Sequence, residues 1–133
     1  MESEIPNNIK IIAKVSPENI VLSADNSQLE QVLINLIKNA VAAISNKNDG
    51  IIQLLAFNIA EATIIQVEDN GIGISNDLIE DIFVPFFTTK ENGSGIGLSL
   101  SKQIMQNHNG TISVVSAPNI GAIFTLKFQD LCQ

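Results

Sequence analysis

The sequence predicts an α+β fold in which a layer of helix packs on a layer of sheet, because two periodicities are segregated along the chain. Runs of β-branched or alternating residues, which favour strands, occupy 8–15, 20–24, 51–57 and 62–68, and two more follow residue 110. Elsewhere apolar residues recur at spacings of three and four, as on the buried face of a helix. No repeat, linker or low-complexity segment interrupts the chain, so we expect one domain over residues 1–133.

The helices follow from the second periodicity. Residues 28–44 predict a long helix with one apolar face, and "NKNDG" ends the pattern. Asn76 can cap a short helix over 77–83. Residues 98–107 predict a second long helix that ends at "NHNG". The strands "TISVVSA" and "IFTLKF" then close the chain around the turn "PNIG".

Charge and composition exclude several classes of partner. The formal net charge is −7, and every one of the seven basic residues is a lysine. An acidic chain without arginine is a poor match for nucleic acid or for an anionic membrane surface. No apolar run approaches the roughly 18 residues that a membrane span needs. The single cysteine, Cys132, has no partner for a disulfide, so we expect a reducing, cytoplasmic compartment.

The first helix carries a polar stripe along one edge of its apolar face. Residues three and four apart on a helix are neighbours, and this edge consists of Gln31, Asn35, Lys38, Asn39 and Ala42. One interpretation is a solvated helix edge. The other is a row of amide oxygens that face a cleft, where they suit a hard cation such as Mg²⁺.

The stretch "EDNGIGI" follows a predicted strand and contains Asn-Gly, which is a strong hairpin signal. The residues after it predict a cap and a helix instead of a second strand, so the hairpin interpretation fails. We therefore place Asp69 at a strand end, where its carboxylate can accept a hydrogen bond from an exocyclic amine. Gly71 and Gly73 then permit close approach of the backbone to a bound group.

The stretch "GSGIGLSLSK" leads directly into the second long helix. Helix N-termini present unpaired N–H groups, and glycines at 93, 95 and 97 would let phosphate oxygens reach them. The spacing matches neither the P-loop nor the dinucleotide-binding motif. Just before it, "FVPFFTTK" either sends its phenylalanines into the core or forms a loop that brings Lys90 over a polyanion.

Together these motifs resemble the catalytic, ATP-binding domain of sensor histidine kinases, within the superfamily of gyrase B, a heat-shock chaperone and MutL. "NLIKNA" is similar to the N box of that family, "DNGIGI" to the G1 box, "FVPFFTTK" to the F box and "GSGIGL" to the G2 box, and "GAIF" to its last glycine motif. The resemblance implies a Bergerat-type, two-layer α/β sandwich. Its mixed, mostly antiparallel sheet would be covered on one face by about three helices.

The resemblance also implies ATP and Mg²⁺ as cofactors and assigns roles to residues. Asp69 would bind the adenine amine beside Gly73, and Asn39 would hold Mg²⁺. Asn35 and Lys38 would lie near the phosphates. The remaining residues implied in cofactor binding are Gly71, Ile74, Phe87, Thr88, Lys90, Gly93, Ser94, Gly95, Ile96, Gly97, Leu98 and Thr125.

Catalysis, on this resemblance, would rest on Asn35 and Lys90, with Lys90 touching the terminal phosphates. Members of the superfamily that hydrolyse ATP have a glutamate at the position of Asn35, and an amide cannot take a proton at neutral pH. The site is therefore expected to hold ATP and to pass its γ-phosphate to a nucleophile from elsewhere.

The expected nucleophile is a histidine on a separate dimerisation domain, which this sequence does not contain. The one histidine, His108, follows a predicted helix end and suits a structural role there. We expect a two-component histidine kinase domain without direct membrane contact, from a parent protein that can be membrane-anchored, with a response regulator downstream. Two alternatives are a serine kinase of the same fold that acts on an anti-sigma-factor antagonist, and a non-catalytic nucleotide-binding module.

Overall fold

The structure, a computed structural model, describes residues 8–16, 26–44, 49–59, 62–84 and 97–129. The predicted strand at 20–24 lies outside these ranges. The elements in chain order are β1 (Ile9–Ser16), α1 (Asn26–Ile44), β2 (Gly50–Ile59), β3 (Ala62–Asp69), α2 (Gly97–Asn107), β4 (Thr111–Ala117) and β5 (Gly121–Gln129). All of them match a predicted element to within a few residues.

The strands form one sheet of five in the order β1-β2-β3-β5-β4. Strands β1 and β2 pair in parallel, and the other neighbours pair antiparallel. The predicted mixed, mostly antiparallel sheet is therefore confirmed. Alternation along the strands sends Ile52, Val67 and Phe124 to one face, where they are buried under the helices.

Both helices lie on that face and share one core with it. The apolar face of α1 is buried along its length, from Val32 through Leu36 and Ala40 to Ile44. Helix α2 adds a shorter buried face, which includes Met105. Burying a side chain such as Leu36 contributes roughly 1.5–3 kcal/mol, so packing rather than helix propensity holds α1 in place. The predicted two-layer α+β sandwich is confirmed.

The short helix predicted over 77–83 is wrong, because the structure has consecutive turns there. Leu78 N donates to Ser75 O at 3.0 Å, and Val84 N donates to Asp81 O at 3.0 Å, both spanning three residues. A segment this short gains too few backbone hydrogen bonds to offset helix nucleation. The described part of the chain accordingly has two α-helices rather than about three, and none of its helices is long and apolar enough to cross a membrane.

Candidate functional site

Helix α1 is hydrogen-bonded to two separate parts of the chain, and we call the strip of its surface between these two bonds the cleft. Near its C-terminus, Ala43 O accepts a hydrogen bond from Ile72 N at 3.1 Å, in the loop that follows β3. Eight residues earlier, Asn35 Nδ2 donates to Gly97 O at 3.2 Å, at the start of α2. At a rise of 1.5 Å per residue these two contacts are about 12 Å apart. After the nucleotide parts that the family resemblance assigns to them, we call Asp69–Ile74 the base end, and we call Asn35, Asn39, Gly97 and Leu98 the phosphate end.

Asp69 is the charged group of the base end. It ends β3, lies between Ile52 and Ala122 in the sheet, and is buried. Burial raises the pKa of its carboxyl above the usual value; hydrogen bonds from the backbone of Gly71 and Ala122 act in the opposite direction, and the neighbouring Glu68 charge raises it slightly further. A buried carboxylate has acceptor capacity to spare beyond two backbone donors, so it can bind a donor group from a ligand.

Gly71 and Gly73 are required by the protein's own backbone. A Cβ built on Gly71 would lie 2.6 Å from the carbonyl carbon and oxygen of Ala43, so the loop could not reach α1. Gly73 has a φ of +74°, and a Cβ there would overlap the carbonyl oxygen of Ala117. These glycines let the loop pack between α1 and the β4–β5 turn, and their role beside a bound group stays a prediction.

Ser116 holds that loop on its other side. Its Oγ accepts from Ile74 N at 2.6 Å and donates to Gly121 O at 3.0 Å. Ile74 is half-buried and packs against the core beside it. The sequence analysis missed Ser116, although a serine after Ile112 and Val114 on the inward-facing positions of β4 was a usable signal.

Asn70 follows Asp69 directly, and its side chain is hydrogen-bonded to the beginning of the neighbouring strand β2. Its Oδ1 accepts from Ile51 N at 2.8 Å, and its Nδ2 donates to Asp49 O at 2.8 Å. Both bonds tie the base end to the beginning of β2. The motif position of Asn70 suggested a turn residue, and the structure gives it a bridging role instead.

At the phosphate end, the polar stripe of α1 is part of a helix–helix contact. Gln31 Nε2 donates to Asn35 Oδ1 at 3.1 Å, and Asn35 Nδ2 is directed at Gly97 O and Ser101 Oγ on α2. Gln31 and Lys38 are exposed, as a solvated edge requires, and the role of Lys38 near the phosphates stays a prediction. The solvated-edge interpretation does not hold for Asn35, which tethers the start of α2. Sequence reasoning missed Ser101, although it occupies an apolar-stripe position between Leu98 and Met105.

Asn39 lies on α1 at the phosphate end, one helical turn after Asn35, and is half-buried. Within the described ranges no group of three or more His, Cys, Asp or Glu side chains could hold a metal ion. An amide oxygen is a suitable ligand for Mg²⁺, but one such ligand is weak without phosphate oxygens. The donor set therefore fits a cation that arrives together with a polyphosphate.

Seven predicted site residues lie outside the described residues, and their roles stay predictions: Phe87, Thr88, Lys90, Gly93, Ser94, Gly95 and Ile96. The described residues on either side of that segment are anchored. Phe83 packs edge-on against Phe124 with ring centroids 6.4 Å apart, and Lys102 Nζ lies 5.9 Å from the Phe83 centroid. Leu98 packs against the core one residue after Gly97.

Thr125 does not belong to the cleft. It pairs with Gln66 across β3 and β5, and Gln66 Nε2 donates to its Oγ1 at 3.2 Å. Its neighbours Phe124 and Leu126 are in the core, so Thr125 lies on the sheet face opposite the helices. The assignment of Thr125 to cofactor binding is therefore wrong, and the β5 residue that pairs with Asp69 is Ala122.

His108 has the structural contacts expected of it. Its Nδ1 lies 2.8 Å from Ile104 O, and its ring packs edge-on against Phe128 at a centroid distance of 6.4 Å. The side chain is half-buried after the end of α2.

Comparison of the sequence with known proteins places the chain among histidine kinase-like ATPases. Residues 24–131 match the family described as "Histidine kinase-, DNA gyrase B-, and HSP90-like ATPase". The chain is 42% identical over 113 residues to the C4-dicarboxylate transport sensor protein DctB of Rhizobium meliloti, covering 85% of this chain and 18% of DctB. It is 43% identical over 118 residues to the signal transduction histidine-protein kinase AtoS of Escherichia coli, covering 89% and 19%. It thus spans about a fifth of the length of these relatives.

Solved structures give the same grouping by shape. The nucleotide-free catalytic domain of histidine kinase ThkA superposes with a TM-score of 0.82 at 33% identity, over 92% of this chain and 80% of that one. Full-length ShkA in complex with AMPPNP gives 0.80 at 29% identity, over 90% and 25%. ThkA in complex with the response regulator TrrA gives 0.77 at 30% identity, over 92% and 34%.

Proposed function

Because the chain belongs to the family of histidine kinase-, DNA gyrase B- and HSP90-like ATPases, we propose that it binds Mg·ATP and donates the γ-phosphate to a histidine on a separate dimerisation domain. Membership confirms the resemblance inferred from the five sequence motifs. The single observation that carries the proposal is the cleft along α1, with a buried carboxylate at one end and the opening turn of a helix at the other.

Each end of the cleft suits one part of ATP. The Asp69 carboxylate can accept a hydrogen bond from the adenine amine while Ile74 lies beside the ring. The first-turn N–H groups of α2 have no partners within the helix and favour phosphate oxygens. The AMPPNP bound to the relative ShkA supports an adenine nucleotide as the ligand.

At the phosphate end, different residues of the chain would bind the metal ion and the phosphates. Asn39 would hold Mg²⁺, which when bound neutralises charge on the phosphates. Lys90 and the glycines at 93 and 95 would complete the phosphate contacts. Asn35 has no group that takes up a proton at neutral pH, and its amide is already bonded to Gly97 O. Water in the site would therefore not be activated, which favours transfer to a protein nucleophile over hydrolysis.

Partners and location follow from the same family. We propose that residues 1–133 form one catalytic domain, and that the phosphoacceptor histidine lies on the dimerisation domain of the parent kinase. The response regulator bound to the relative ThkA supports a response regulator downstream. A cytoplasmic domain fits the acidic, arginine-free composition.

The proposal is tested in two steps with purified protein. ATP titrations with and without Mg²⁺ should show tighter binding with the metal, and Asn39→Ala should abolish that difference, whereas Asn107→Ala, an exposed asparagine at the end of α2, should not. Labelled ATP should then transfer phosphate to the dimerisation domain of the parent kinase only when this chain is added. Lys90→Ala should slow that transfer. Phosphate on His108 of the isolated chain would contradict the proposal.

A further inference from the structure

A fully buried serine lies where α2 packs on α1. Three polar residues are buried in the described part of the chain, namely Thr63, Asp69 and Ser101, and of these Ser101 alone has no exposed surface. A buried hydroxyl loses its hydration, and it is tolerated only when it is hydrogen-bonded. An alanine at this position would fill an apolar stripe at no such cost, so the hydroxyl needs a separate reason.

The bonds of Ser101 converge with those of Asn35 on one carbonyl. Ser101 Oγ donates to Gly97 O at 2.9 Å, and Asn35 Nδ2 donates to the same oxygen at 3.2 Å. Asn35 Nδ2 also lies 3.4 Å from Ser101 Oγ, and Gln31 Nε2 donates to Asn35 Oδ1 at 3.1 Å. The bond from Gln31 sets the orientation of the Asn35 amide, so that its N–H groups face α2.

That carbonyl belongs to the first residue of α2. Its neighbours along the helix supply the first-turn N–H groups, which have no partners within the helix. A side-chain network that fixes Gly97 O therefore fixes where those N–H groups lie, whereas apolar packing alone would let the helix slide or rotate.

We propose that Ser101, acting through Asn35, is a positioning residue that aligns the start of α2 with the phosphates of the nucleotide. This inference rests on the proposed function, because it assumes that phosphates bind at that end of the cleft. Asn35 thereby holds α2 in register with α1, which accounts for an amide at a position where ATP-hydrolysing relatives would need a carboxylate.

The inference separates phosphate binding from base binding. A network that only stabilised the fold would, when broken, weaken every ligand or none. A positioning network weakens ligands in proportion to their phosphates, since adenosine uses only the base end. The base end is held by Asn70 and Ser116, which share no hydrogen bond with Ser101.

The experiment measures Mg·ATP and adenosine affinity on the 133-residue chain by titration, for wild type and Ser101→Ala. We expect Ser101→Ala to weaken ATP about tenfold and adenosine by less than about twofold, the size of one lost hydrogen bond. Ser113→Ala, an exposed serine between the inward-facing Ile112 and Val114 of β4, is the matched control and should change neither affinity. Equal losses for ATP and adenosine, or no loss for ATP, would overturn the inference.

Two further variants keep the test decisive if Ser101→Ala unfolds. Gln31→Ala is exposed and removes only the bond that orients Asn35, so it should weaken ATP about two- to threefold and leave adenosine unchanged. Combining Gln31→Ala with Asn35→Ala should cost less than the sum of the single changes, because Gln31 acts through Asn35. Additive losses, or an unaffected Gln31→Ala, would contradict the inference. Failure of the wild type to bind ATP would instead refute the proposed function.

Discussion

Gly73 and Gly97 lie at opposite ends of the same cleft, but a side chain at each position would have different consequences for the protein. A Cβ at Gly73 would overlap the carbonyl oxygen of Ala117, and its φ of +74° disfavours any other residue. Among the described residues, the nearest atoms that a Cβ at Gly97 would meet belong to the Asn35 side chain, with Cγ at 3.6 Å, which is an ordinary contact. The first glycine is therefore required by the fold, whereas no described neighbour requires the second.

The difference shows how the two ends of the site are built. At the base end, Asp69 is held within the sheet between β2 and β5, and the loop that follows it is hydrogen-bonded to α1, so backbone contacts fix its position. At the phosphate end, side-chain hydrogen bonds from Asn35 join α1 to the start of α2. On the proposed function, base recognition is therefore tied to the stability of the protein, whereas phosphate recognition can be changed with little effect on the fold.

The largest expected effect is on stability at the base end. Gly73→Ala forces a left-handed residue and an overlap with Ala117, which together cost about 2–4 kcal/mol of unfolding free energy. Denaturant unfolding followed by circular dichroism measures the change. Gly97→Ala is the control. It should leave the free energy of unfolding unchanged or raise it by up to about 1 kcal/mol, because alanine has the higher helix propensity. Equal losses of unfolding free energy for Gly73→Ala and Gly97→Ala would contradict the difference between the two ends of the cleft.

The second prediction concerns which base is bound. Asp69→Asn replaces an acceptor-only group by an amide that can also donate, and guanine presents a carbonyl where adenine presents its amine. We expect the preference for ATP over GTP to shrink by about 1–3 kcal/mol, roughly five- to 150-fold. Competition of both nucleotides against a fluorescent ATP analogue gives the ratio. Wild-type protein that binds GTP as tightly as ATP would contradict the role of Asp69.

The sequence predicted the fold and the base end because their signals are local. Strand alternation, the long apolar face of α1 and Asp69 at a strand end are each contained in one short segment. The contact between Asn35 and Ser101 was not predictable, because the two residues are 66 positions apart and no local pattern near Ser101 indicates Asn35 as its partner. Thr125 was misplaced because its motif gives no strand register, and a shift of one residue changes the face of the sheet.

The third prediction tests whether phosphates lie against Gly97. Gly97→Ala places a methyl group where phosphates would approach the first turn of α2, and this methyl group clashes with none of the described residues. We expect ATP affinity to fall about tenfold, or about 1.4 kcal/mol, with adenosine affinity unchanged. Parallel titrations of the two ligands provide the measurement. An unchanged ATP affinity would mean that phosphates do not lie against Gly97.

The smallest expected effect is a pH dependence that belongs to the base end alone. Burial raises the pKa of Asp69 in the folded protein above its ordinary value of 3.8, so folding favours the protonated form. Asp69 therefore contributes most to stability below pH 3.8, and that contribution is lost as the pH rises through its folded pKa. Asp69→Asn has no such titration. The unfolding free energy of wild type minus that of Asp69→Asn should accordingly increase as the pH falls from 7 toward about 4.

The other carboxyls titrate in both proteins and cancel in this difference. Denaturant unfolding at several pH values measures it, and Gly97→Ala should follow the wild-type curve throughout. A difference that stayed flat, or that decreased on acidification, would show that the Asp69 carboxylate is not destabilised by its surroundings, and that the base end is less enclosed than its backbone contacts indicate.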